Sequence, residues 1–145
     1  MIRGLDTTAL IEFEFLHHPN HEGARILIEN VLDAGDKLGL TPQVIAEFIH
    51  IASDPKRFEK PLSVKAALQR AEIWWHASEV VQIFPKSETI RLQLSWMSKY
   101  KLGRKRILDT QLAATFYSNE IKSVITSNVR DFRILEVFEE ILTPN

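Results

Sequence analysis

Ile2-Arg3-Gly4-Leu5-Asp6-Thr7-Thr8-Ala9-Leu10-Ile11-Glu12-Phe13 stands at the head of this chain. A short apolar run meets an acid and two hydroxyls, and a helical pattern follows. The stretch predicts a strand over 2–5, an acidic turn at Asp6 and a helix over 8–15. In an open parallel sheet, functional groups gather just beyond the carboxyl ends of the strands. A carboxylate held there beside Thr7 and Thr8 is suited to a hard cation such as Mg²⁺. The tripeptide Leu-Asp-Thr recurs at Leu108-Asp109-Thr110, again opening a helical pattern.

Outward from this start, the pattern alternates. Pro19 and Asn20 break the chain after His17-His18. Ala24, Leu27, Ile28, Val31 and Leu32 form a helical stripe over 23–34. Residues 38–41 predict a second strand, and Pro42 sits where a helix starts. Helices follow over 43–53 and from Pro61 or Ser63 to His76. Residues 79–84 predict a strand stopped by Pro85. A helix from Ser87 to Tyr100, a basic loop, and a helix over 108–118 come next. Residues 123–126 predict a strand, and 140–143 a last edge strand. Strands separated by helices need crossover connections, hence a mainly parallel sheet. The expected class is α/β, a three-layer α/β/α sandwich in one domain spanning residues 1–145.

Composition narrows the function. The chain has 145 residues, 45% of them hydrophobic, so it can bury a core. It has no cysteine, which removes disulfides, thiolate metal sites and thiol nucleophiles. No signal-peptide pattern opens it, and no apolar run approaches the roughly 18 residues that cross a bilayer. The expected location is the cytoplasm, with no membrane. The net charge of −1 gives no support to nucleic-acid binding, though a local basic patch can still supply it.

Two acids stand in apolar company. Glu47 is the only formally charged residue between Gln43 and Asp54. A helix apolar nearly all round predicts burial, and a carboxylate within it must be paired, metal-bound or protonated. On a helix, Leu112, Ala113 and Phe116 share the side of Asp109, and an N-cap role fits that acid as well as catalysis does. The segment Thr126-Ser127-Asn128-Val129-Arg130-Asp131-Phe132 leaves the strand at Val124-Ile125, with Asn128 and Asp131 as further oxygen donors. In a doubly wound sheet these positions can converge on one edge. Carboxylates a few ångströms apart repel, and a divalent cation removes that conflict. Oxygen-only ligands favour Mg²⁺ or Mn²⁺.

These residues resemble those of the PIN-domain nucleases, most closely the VapC-like toxin ribonucleases of toxin–antitoxin modules. Gly4-Leu5-Asp6-Thr7-Thr8-Ala9-Leu10-Ile11 is similar to the family's first motif. Thr41-Pro42-Gln43-Val44-Ile45-Ala46-Glu47-Phe48 resembles the second, and Arg106-Ile107-Leu108-Asp109-Thr110-Gln111-Leu112-Ala113-Ala114-Thr115 the third. Val124-Ile125-Thr126-Ser127-Asn128-Val129-Arg130-Asp131-Phe132 resembles the fourth. The likeness spans almost the whole chain. Thr8 departs from the Asn or Ser of many members, and the fourth site residue is either Asn128 or Asp131. The resemblance implies a metal-dependent endoribonuclease, a homodimer and a cognate antitoxin protein that blocks the site.

On this basis Asp6, Glu47 and Asp109 are expected to hold one Mg²⁺ or Mn²⁺, with Asn128 or Asp131 assisting and Asp131 in the catalytic set. Thr7, Thr8 and Thr126 are expected beside the RNA substrate. Arg104, Lys105 and Arg106, with Lys99 and Lys101, are expected to meet phosphates or simply to face water. His17, His18 and His21 read as exposed turn residues, and His50 as a neighbour of Glu47. Trp74, Trp75 and Trp96 read as core, with a dimer interface or antitoxin groove second. An aspartyl-nucleophile phosphatase needs a second Asp where Thr8 stands, so that reading falls. The rival is a PIN-like module that binds RNA or protein with weak or no catalysis.

Overall fold

A computed structural model describes all 145 residues. Five short strands form one sheet: β1 (Ile2–Leu5), β2 (Lys37–Leu40), β3 (Val80–Gln82), β4 (Ser123–Ile125) and β5 (Glu140–Leu142), in the order β3-β2-β1-β4-β5. Every pairing is parallel, with Gly4 opposite both Gly39 and Val124. The helices are α1 (Thr7–Glu14), α2 (His21–Asp33), α3 (Pro42–Ala52), α4 (Val64–His76), α5 (Ser87–Lys99), α6 (Ile107–Ser118) and α7 (Val129–Arg133). α1 packs on α2 and α3, and α3 on α4, while α5 and α7 pack on α6. Right-handed crossovers put helices that advance the sheet in opposite directions on opposite faces. The result is a three-layer α/β/α sandwich.

The chain first winds from β1 to β2 and β3, then returns to lay β4 against the other side of β1. The strand order reverses between β1 and β4, which opens a crevice at their carboxyl ends. Phe116, fully buried on α6, lies flat over β1. A Cβ on Gly4 would sit 2.8 Å from its ring. Leu5, Leu38, Leu40, Val124 and Ile125 fill the sheet's share of the core, with Leu10, Ile28, Val44 and Phe48 packed among them. Trp74 and Trp96 are buried in that core, and Trp75 is half-buried against Phe84. No helix is long and apolar enough to cross a membrane.

Four local expectations need correction. The third strand is shorter than 79–84, because β3 is an edge that pairs only with β2. The polar segment after β4 contains a helix, α7. α3 is not buried all round. It lies between α1 and α4, so Val44, Phe48 and Ala52 are covered while Pro42, Ala46 and His50 face outward. Asp109 does not cap a helix either: a 3-10 turn over Arg104–Arg106 leads into α6, which leaves Asp109 inside its first turn.

Candidate active site

Asp6 ends β1 and caps α1 in extended geometry (φ −82°, ψ 155°). Its Oδ1 accepts the Thr7 amide at 2.7 Å. Its Oδ2 accepts the Thr126 hydroxyl at 2.6 Å and the Thr8 hydroxyl at 3.3 Å. Asp6 is only 5% exposed. Burial pushes its pKa up to about 6; the hydrogen bonds oppose that rise and the nearby Glu47 charge adds to it. Asp6 is thus both the cap of α1 and a buried acid at the sheet edge.

Thr8 and Thr126 chiefly build the crevice. Thr126 is buried where β4 ends, and its Oγ1 accepts the Asn128 amide at 2.9 Å. Thr8 Oγ1 accepts the Ser127 amide at 3.0 Å. Together they tie the loop after β4 to the start of α1.

Glu47 is half-buried. Its Oε2 accepts the Thr7 hydroxyl at 3.2 Å and its Oε1 accepts the Gln43 amide at 2.8 Å. Gln43 Nε2 also donates to the Leu108 carbonyl at 2.9 Å. One side chain therefore links α3 to the first turn of α6, beside Asp109. His50 is exposed one turn on and takes no part.

Asp109 has its pKa pushed up to about 7. Burial is the largest cause, followed by the Asp131 and Asp6 charges, a hydrogen bond with Asp131, and the Glu47 charge. Arg106 closes on Asp131 in a part-buried ion pair. Its guanidinium thus has a carboxylate partner within the site. Arg104 and Lys105 remain exposed beside the site. Asn128 is exposed, and its side chain makes no capping bond to α7. Of the two candidates for the fourth position, the structure joins Asp131 to the acidic group.

Asp6, Glu47 and Asp131 thus all lie within electrostatic reach of Asp109, and Glu47 of Asp6, at the reversal point of the sheet. The donor set is all oxygen and acidic, which fits a hard divalent cation. The carboxylates are not drawn up as a finished cage: no three His, Asp or Glu side chains are gathered closely enough to hold an ion. Ligation by three of them requires side-chain movement or bridging water. The histidine turn is no metal site: His18 Nδ1 accepts the Asn20 amide at 3.0 Å, and His21 Nδ1 lies 3.1 Å from the Glu12 carbonyl.

A sequence profile described as PIN domain matches residues 5–137. The chain belongs to the PIN-domain family. Solved structures share this PIN fold. VapBC-1 from nontypeable Haemophilus influenzae aligns with a TM-score of 0.69 at 20% identity, over 97% of this chain and 96% of that one. DNA-bound VapBC from Salmonella typhimurium aligns at 0.68 and 17% identity over 100% of both chains. VapC20 of Mycobacterium tuberculosis, a sarcin-ricin loop cleaving toxin, aligns at 0.63 and 13% identity over 86% of this chain and 87% of that one. No curated protein sequence matches the chain closely enough to be counted a relative.

Three residues of this PIN domain escaped the sequence reading. Gln43 is polar at the start of an apolar helix and gave no signal. Ser127 lay within a motif but was passed over for its neighbours. Glu12 carried a legible mark, since it is the only charged residue between Asp6 and Glu14. It is 4% exposed and accepts the Ser127 hydroxyl at 2.8 Å and the Asn20 amide at 3.2 Å.

Proposed function

We propose that the chain is an endoribonuclease dependent on Mg²⁺ or Mn²⁺, and the toxin of a toxin–antitoxin pair. One observation carries this: Asp6, Glu47, Asp109 and Asp131 share one crevice, where Asp6 and Asp109 hold protons far above the ordinary aspartate range. Such a concentration of acids is costly without a cation and productive with one. Asp6, Glu47 and Asp109 would hold the ion, with Asp131 as the fourth acid. When bound, the ion activates water and offsets charge on the reacting phosphate.

The chain's own residues set the geometry. Thr126 and Thr8 aim the Asp6 carboxylate, and Thr7 with Gln43 aims Glu47. Arg106 holds Asp131 against Asp109. Arg104 and Lys105 stand free to meet RNA phosphates, which position the strand without reading its sequence. The VapBC and VapC20 structures of the same fold support the toxin role, a separate antitoxin chain and a cytoplasmic setting. Homodimer formation belongs to the same reading.

Incubation of purified protein with RNA and Mn²⁺ tests it. Cleavage by the wild type, absent in Asp6→Asn and in chelator, is the expected result. Cleavage retained by a folded Asp6→Asn protein overturns the scheme. The rival, a PIN-like module that binds RNA or protein with little catalysis, draws on the open spacing of the carboxylates. Mn²⁺ binding without RNA cleavage would favour it.

A further inference from the structure

Next to the acidic crevice lies a second cavity of about 690 Å³. It is within the size range of small-ligand sites. Thr8, which bonds Asp6, forms part of its wall, so the cavity and the acidic cluster share that residue. Glu12 contributes the buried carboxylate of its lining. Phe15 and Phe58 also line it, stacked with ring centroids 4.0 Å apart and planes within 6°. The exposed side chains of Arg57 and Lys60 stand at its mouth.

Resting on the nuclease reading, we propose that this cavity receives a nucleobase adjoining the scissile phosphate and selects amino-bearing bases through Glu12. An ionised carboxylate accepts about four hydrogen bonds. The protein supplies one to each Glu12 oxygen, from Asn20 and Ser127, both neutral donors. The remaining acceptor capacity complements the exocyclic amino groups of adenine, cytosine and guanine, whereas uracil offers only its ring N3–H, flanked by two carbonyl oxygens that a carboxylate repels. Aromatic side chains stack with any base and so supply affinity without choosing among them. Lys60 and Arg57, the latter paired with Asp54 at 3.5 Å, provide positive charge beside the exposed Glu59 where the neighbouring phosphates would pass. Ser127 joins the two sites, because its hydroxyl bonds Glu12 and its amide bonds Thr8. A base seated on Glu12 is thereby coupled to the loop that aims Asp6.

The test uses full-length protein, Mn²⁺ and an RNA pool of randomised sequence, with the cut ends sequenced. Wild-type protein is expected to disfavour uracil at one position beside the cut. Glu12→Gln should reduce that bias about tenfold, the scale of one lost base contact. Phe58→Ala should raise KM more than it lowers kcat. A wild-type profile without base bias, or an unchanged bias in Glu12→Gln, overturns the proposal. In parallel, NMR titration with AMP, CMP, GMP and UMP follows the Phe15 and Phe58 ring signals. Movement with AMP, CMP and GMP but not UMP, lost in Glu12→Gln, supports the pocket even where the wild type cuts no RNA, and then only the nuclease reading fails. Ring signals unmoved by any nucleotide overturn it. So does an unchanged cut profile in both variants joined to loss of a bound protein chain in Phe58→Ala, which assigns the cavity to a protein partner.

Discussion

Thr7 and Glu47 stand 40 positions apart in the chain and share a hydrogen bond of 3.2 Å across the mouth of the acidic crevice. Thr7 belongs to the first turn of α1, Glu47 to the middle of α3, and the packing of those two helices brings them together. Replacing Thr7 by Val keeps the shape and removes the donor. RNA cleavage is expected to fall by about fivefold, the scale of one lost orienting bond of about 1 kcal/mol, with the thermal midpoint nearly unchanged. Mn²⁺-dependent single-turnover rates check this.

The raised pKa values of Asp6 and Asp109 predict an acid-favoured fold in the absence of metal. Both groups bind their proton more tightly folded than unfolded, so their contribution to stability is fully present below the ordinary aspartate range. It is lost as pH rises through about 6 for Asp6 and about 7 for Asp109. Metal-free protein should therefore unfold at lower temperature at pH 8 than at pH 5, and Mn²⁺ should restore the loss. Asp109→Asn should be more stable than wild type at pH 8 without metal. Calorimetric scans at the two pH values, with and without Mn²⁺, measure both effects.

Arg106 and Lys105 are neighbours in sequence with different expected roles. Arg106→Gln removes the cation paired with Asp131 and leaves the Asp131 charge uncompensated beside Asp109, which then holds its proton more tightly. The acidic limb of the pH–rate profile should move to higher pH. The double variant Arg104→Gln, Lys105→Gln removes only exposed charge. It should flatten the salt dependence of RNA binding by about 1.4 in log–log slope, the value for two phosphate contacts on a single strand. Fluorescence anisotropy across a salt series reads the second effect.

The contact between β1 and α6 depends on a missing side chain. Gly4→Ala places a methyl group 2.8 Å from the Phe116 ring. A loss of about 1–3 kcal/mol in urea unfolding is expected, the cost of overpacking a filled core. Gly103→Ala, with nothing within 4 Å of the new methyl, serves as the neutral comparison.

Much of this fold was legible in the chain. Short apolar runs bounded by Asp6, Pro42 and Pro85 marked the strands, and apolar stripes marked the helices, because local patterning and capping are properties of neighbours in sequence. Asp6 and Glu47 were legible as acids set among apolar residues. Glu12 carried the same mark, although its partners Ser127 and Asn20 were beyond reach of a linear reading.

Tertiary structure decided the rest. The contact of Asp131 with Asp109, and the exposure of Asn128, followed from the short helix after β4. The pairing of Arg106 with Asp131, and the outward face of α3, likewise depended on which helices pack together. Burial and charge pairing are sums over groups distant along the chain, so no local pattern encodes them. Sequence alone determined that acids would stand after strands and on helices among apolar residues; only folding determined which of them meet, because that depends on where the sheet reverses its order.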